Sequence, residues 1–124
     1  MDPAANLSIM VVGDDSHFCY LMRTYIRKRD HKIIFANLAE DAVELAQNER
    51  PAAIVLEVGS PGTAGWHLLR KFKSKQSTSE IPVVICSWMD EEKRAAELGA
   101  SAWLRMPILY EEFTKTLTLV GIDA

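Results

Sequence analysis

Positive charge is scarce in this chain, and so are cysteine and histidine. Each shortage closes off a class of function. Fourteen Lys and Arg stand against seventeen Asp and Glu, a formal net charge of −3. That is the wrong sign for a domain whose main partner is nucleic acid. No apolar run approaches the ~20 residues of a membrane-spanning helix. No basic start followed by an apolar core marks a secretory leader, so a cytoplasmic protein is expected. The two cysteines, Cys19 and Cys86, fall in a predicted helix and a predicted strand. They read as small buried apolar residues in a reducing compartment, not as a disulfide. His17, His31 and His67 are scattered singly and are expected at the surface; with no CxxC pair beside them, a zinc site is not expected.

The 124 residues form a single expected domain, 1–124, with residues 1–6 as a tail and no repeat or linker. Leu7 to Val12 reads as a short apolar strand. Gly13-Asp14-Asp15-Ser16 turns out of it, and Asp15 or Ser16 can cap the next helix. Phe18, Leu21, Met22, Tyr25 and Ile26 then recur at helical spacing, with Arg27, Lys28 and Arg29 in the last turn, where cations suit the dipole. A strand over Lys32 to Phe35 follows. Asn37 to Glu40 has capping-box spacing, before a helix to about Glu49 that turns Ala39, Ala42, Val43 and Ala46 inward and stops at Pro51.

Ile54-Val55-Leu56-Glu57 is an apolar run interrupted near its end by one acid, the pattern of a strand buried on both faces. Pro61, Gly62 and Gly65 force a loop before a helix marked by Trp66, Leu69 and Phe72. Ser74 to Glu80 is polar and is expected to be the loosest stretch. Ile81 to Cys86 is another apolar strand, Asp90 to Leu98 a helix ended by Gly99, and Ala102 to Arg105 a brief last strand. A final helix follows Pro107, with Leu109, Phe113, Leu117 and Val120 on one side. Five strands alternating with five helices predict a three-layer α/β/α sandwich around a parallel sheet. In the flavodoxin-like strand order 2-1-3-4-5, Asp14, Asp15 and Glu57 would converge at the switch point, beyond the strands' carboxyl ends. Asp14-Asp15 stands where a flavin's phosphate would need a Gly- and hydroxyl-rich loop, and would repel it.

In this order and spacing the motifs resemble the receiver domain of two-component response regulators over nearly the whole chain. Val11-Val12-Gly13-Asp14-Asp15 is similar to the family's first-strand acidic pair, and Val55 to Gly62 to its phosphoacceptor strand and loop. Ile85-Cys86-Ser87 is similar to the strand ending in a hydroxyl, and Leu98-Gly99-Ala100 through Pro107 to the last strand and its proline, commonly preceded by a cis peptide. Two positions depart from the family. Its phosphoacceptor Asp is Glu57 here, and its phosphate-binding Lys is Met106. Arg105 does not replace the Lys, because neighbouring side chains alternate faces along a strand.

The departures set the expected chemistry. One extra methylene moves the Glu57 oxygens by about an ångström, a misplacement that can cost ~100-fold in phosphoryl transfer. Losing the Lys removes roughly 3 kcal/mol of transition-state charge stabilisation. No catalytic residue is therefore expected, and the chain is expected not to be an enzyme. The expectation is a pseudo-receiver; the alternative is a live phosphoacceptor using Glu57 or a neighbour with Mg²⁺. Two carboxylates ~4 Å apart repel by ~4 kcal/mol at an effective dielectric near 20, so the acidic pocket needs relief. A proton on Glu57, an outward swing, or a weak Mg²⁺ or Ca²⁺ site would supply it. The resemblance implies that Asp15, Glu57 and the Gly59 carbonyl would hold such an ion.

Ser87 and Trp103 occupy positions similar to the family's hydroxyl–aromatic switch pair. The segment from Ser87 to Gly99 is short by about one helical turn. Trp88, Met89, Trp103 and Tyr110 would make an apolar patch on the face of the fourth helix, fifth strand and fifth helix. Through that face the resemblance implies signalling partners: a histidine kinase, an output domain or another receiver, including a homodimer.

Overall fold

The computed structural model describes residues 7–38, 41–58 and 64–122. Strands β1 (Ser8–Val12), β2 (Lys32–Ala36), β3 (Ala53–Glu57), β4 (Val83–Ser87) and β5 (Ala102–Arg105) alternate with helices α1 (Ser16–Arg27), α2 (Ala42–Glu49), α3 (Ala64–Ser74), α4 (Glu92–Glu97) and α5 (Tyr110–Leu119). The strands form one parallel sheet in the order β2-β1-β3-β4-β5, as the alternation predicts. Period-two alternation along the inner strands divides the core into two layers. Met10, Val12, Ile54, Leu56, Val83 and Ile85 face Val43, Trp66, Leu69 and Phe72 on one side. Ile9, Val11, Val55, Val84, Cys86 and Leu104 face Phe18, Met22, Ile26, Phe113 and Leu117 on the other. Helix α1 is tied across to the segment after β5: the Tyr25 hydroxyl donates to the Ile108 carbonyl at 2.8 Å, and its ring meets Tyr110 edge-on at 5.2 Å.

Several boundaries and faces differ from the sequence reading. Helix α2 begins at Ala42, not after Asn37, because Asp41 takes the cap: its Oδ1 accepts from the Glu44 N–H at 3.0 Å. Asp41-x-x-Glu44 carries the same spacing as the expected box; Ala39 and Glu40 lie outside the described residues. Lys28 and Arg29 fall beyond α1 and lie over the Tyr110 ring at 4.9 and 5.5 Å. Leu109 is 62% exposed, not part of the inward stripe, because it precedes the first turn of α5 in extended backbone. His31 is buried. Asp30 just before it takes a left-handed φ of 59° and turns the chain sharply back toward β2, a reversal that residue periodicity does not signal. The residue 1–6 tail lies outside the described residues.

The polar stretch after α3 is also better tied than its composition suggests. Thr78 is fully buried and donates to the Phe72 carbonyl at 2.6 Å, while Lys73 Nζ reaches the Ser79 and Ile81 carbonyls at 3.1 and 2.8 Å. Burial lowers the Lys73 pKa, and the two carbonyls serve the ammonium in place of water. The Thr78 bond satisfies a carbonyl that the end of α3 leaves open, and the Lys73 bonds tie the following segment back to the helix. Thr78→Val keeps the shape and strands the Phe72 carbonyl, so it should cost about 1–3 kcal/mol. Urea unfolding of the two proteins, with the m-value unchanged, measures it.

Candidate functional site

The parallel sheet delivers the ends of β1, β3, β4 and β5 to one edge, and the acids gather there. Glu57 is the last residue of β3 and shares its parity with Ala53 and Val55, so it faces the α1/α5 layer. Its Oε1 turns to the first turn after β1 and accepts from the Asp14 N–H at 3.0 Å and the Asp15 N–H at 3.3 Å. One glycine makes that approach possible, and a second lets α3 start against the same residue. A Cβ on Gly13 would stand 2.7 Å from Glu57 Oε1, and one on Gly65 would stand 2.6 Å from the Glu57 carbonyl oxygen. Both are closer than real Cβ atoms come.

The two aspartates are also held by backbone donors. Asp15 caps α1, its Oδ2 accepting from the Phe18 N–H at 2.8 Å. Asp14 Oδ1 accepts from the Leu38 N–H at 2.8 Å. Among the described residues no Lys or Arg is ion-paired with Asp14, Asp15 or Glu57. Repulsion is thus met by main-chain dipoles, a relief absent from the three the sequence offered. Burial raises the Glu57 pKa above the ordinary glutamate range; the two amides pull it back, and the Asp15 and Asp14 charges add to the rise. Two free thiols sit close by. Cys19 donates to the Gly13 carbonyl at 3.6 Å, and burial followed by the Glu57 charge raises its pKa. Cys86 pairs with Glu57 across β3 and β4 and is pushed up by burial and by that charge.

Met106 lies on the same sheet face as Glu57, buried among the α1/α5-side residues, and its peptide bond to Pro107 is cis. Arg105 pairs in register with Ser87 and is exposed. Ser87 is fully buried, and its Oγ accepts from the Met89 N–H at 3.1 Å. Trp103 stands opposite Ile85 on the same face as Ser87, half-buried, with its indole nitrogen buried and unpartnered. Trp88 and Met89 are 59% and 63% exposed, whereas Tyr110 is engaged with α1. Helix α4 has six residues, in keeping with the short segment. Gly59 lies outside the described residues, and among the described residues no three His, Cys, Asp or Glu side chains are grouped to hold a metal. One oxygen of each acid is turned to a backbone N–H. Sequence reasoning missed the Gly13 and Gly65 contacts with Glu57; both glycines read only as turn residues.

A family model, the response regulator receiver domain, matches residues 9–118. The chain belongs to that family. Protein PilH of Pseudomonas aeruginosa is 29% identical over 115 residues, covering 90% of this chain and 95% of PilH. The polar-differentiation response regulator DivK of Brucella anthropi is 25% identical over 113 residues, covering 89% and 92%. The chemotaxis protein CheY4 of Vibrio cholerae has the same fold, with a TM-score of 0.80 at 21% identity over 92% of this chain and 98% of its own. The protein is a receiver domain of a two-component signalling system, a class that works through contacts with signalling proteins such as kinases and output domains. Among the described residues no helix is long and apolar enough to cross a membrane.

The raised Glu57 pKa fixes the sign of a pH effect. The folded receiver holds that proton more tightly than the unfolded chain, so the associated stability is fully present below the ordinary glutamate range. It is lost as pH rises through the folded value. Glu57→Gln keeps an oxygen acceptor for the two amides and removes the titration. Its stability relative to wild type should therefore climb across that window and then level off, as read by denaturant midpoints from acid to neutral pH.

Proposed function

We propose that this domain is a pseudo-receiver: a signalling module that binds partner proteins without ordinary phosphorylation and without a required metal. The observation that carries the reading is the seat of Glu57. Its Oε1 is committed to the Asp14 and Asp15 amides, and across the same sheet face the side chain is Met106. Phosphoryl transfer to a carboxylate depends on alignment and on neutralising the transferred charge. Here one of the two carboxylate oxygens is hydrogen-bonded into the β1–α1 turn, and an apolar thioether stands where the family carries its ammonium.

Its partners are signalling proteins: a histidine kinase, an output domain or a second receiver. They meet it at the α4–β5–α5 face, where Met89 and the neighbouring Trp88 are already open. Ser87 and Trp103 share a sheet face as the family's switch pair would, but no phosphoryl group is expected to bias them. The live phosphoacceptor reading, with Mg²⁺ held by Asp15, Glu57 and Gly59, is the alternative.

Incubation with a small phosphodonor and Mg²⁺, followed by intact mass, decides between them. Wild type should gain no phosphoryl mass, and the double variant Glu57→Asp, Met106→Lys should gain it. Stoichiometric, base-labile labelling of the wild type would overturn the proposal. A weak cation site at Asp15, Glu57 and the Gly59 carbonyl should show as a rise in the wild-type melting temperature with millimolar Mg²⁺ or Ca²⁺, and no shift at high metal counts against it.

A further inference from the structure

Beside the acids, a slot opens between α1 and the segments that follow β4 and β5. Asp15, His17, Phe18, Leu21, Trp88, Met106, Pro107 and Ile108 line it, around a cavity of about 40 Å³. Phe18, Met106 and Ile108 are buried and form the apolar floor. The Tyr25 bond to the Ile108 carbonyl holds one wall against the other. Trp88 stands at the rim, 59% exposed. The ionisable residues lining the slot are Asp15 and His17, with Asp14 and Glu57 behind Asp15 and no Lys or Arg paired to any of these three acids among the described residues.

We infer that this slot takes a lysine or arginine side chain from a partner protein, its stem against Met106 and Trp88 and its cationic head on Asp15. The inference rests on the pseudo-receiver reading, and supplies in trans the charge that Met106 leaves out. The volume is close to that of one water, room for the end of an extended side chain and not for a ring. Trp88 offers a face for a cation. Long cationic side chains bury their methylenes along apolar surface while the head keeps polar company. A wholly apolar occupant would strip water from Asp15 and return nothing. An acidic one would meet the Asp15 carboxylate. Hydrated Mg²⁺ dehydrates reluctantly and gains nothing from thioether and aromatic walls. Exposed Arg23 and Arg27 on α1 make a second copy of this chain the competing donor.

The test uses the full chain and peptides of sequence acetyl-Ala-Leu-X-Leu-Ala-amide, with X as Lys, norleucine or Glu. Chemical shifts of the Trp88 indole N–H and the Met106 methyl report occupancy. The Lys peptide should saturate in the millimolar range, norleucine should bind at least about tenfold more weakly, and Glu should not bind, on the value of a charge-assisted contact. Asp15→Asn retains a good helix cap, and Trp88→Ala changes an exposed side chain; each should weaken the Lys peptide several-fold. Equal binding of Lys and norleucine, no shift with Lys, or unchanged affinity in Asp15→Asn would overturn the inference. So would shifts that track protein concentration without peptide, which would make the occupant another copy. Phosphoryl labelling of the wild type alongside an intact Lys preference would sink the pseudo-receiver reading alone. An unlabelled wild type that ignores the lysine would sink this inference alone.

Discussion

The carboxylate of Glu57 accepts two main-chain N–H groups from the turn after β1, and the arrangement of the whole edge follows from that contact. A carboxylate brought to the end of a buried strand loses hydration, and two more acids stand beside it. Charge of one sign at such a place must be answered by something. Here the answer comes from the peptide backbone. Glu57 is met by the amides of Asp14 and Asp15, Asp15 by the first turn of α1, and Asp14 by the Leu38 amide. Hydrogen bonds to charged groups contribute roughly 1.5–3 kcal/mol each, comparable with the ~4 kcal/mol of close carboxylate repulsion.

That solution constrains the chain around it. Gly13 must lack a Cβ so that Glu57 can cross to the turn, and Gly65 must lack one so that α3 can start against the Glu57 carbonyl. The added methylene of Glu relative to Asp is a matter of reach: it carries the carboxylate from the end of β3 to the amides of a neighbouring strand's turn.

Much of the fold was legible because it rests on local pattern. The apolar runs ending at Val12, Leu56 and Cys86 could only be strands buried on both faces, and the helical stripe from Phe18 to Ile26 fixed one covering layer. The acidic edge was legible too, since strand ends in a parallel sheet share a side and Asp14, Asp15 and Glu57 are strand ends. What was not legible depends on geometry without period. A hydrogen bond from a threonine to a carbonyl six residues back, a left-handed turn that buries one histidine, and a cap at Asp41 in place of Asn37 each turn on a single backbone angle. The relief that Glu57 draws from two amides turns on their orientation, which no side-chain pattern records.

The two departures at residues 57 and 106 are best understood as one change. A Lys at 106 would be a buried ammonium, stable only while a carboxylate faces it. With one oxygen of the longer acid at 57 seated on backbone donors, a methionine of similar length fills the volume with no charge to satisfy. Conversely, with Met106 in place, a shorter Asp would carry its charge without an ammonium and without reach to the amides. Each residue removes the reason for the other's family counterpart. The result is an acidic edge met by main-chain dipoles, with no paired cation among the described residues, beside a slot walled by Met106 and Trp88. Such an edge offers negative charge beside apolar walls, a setting that suits a positively charged side chain.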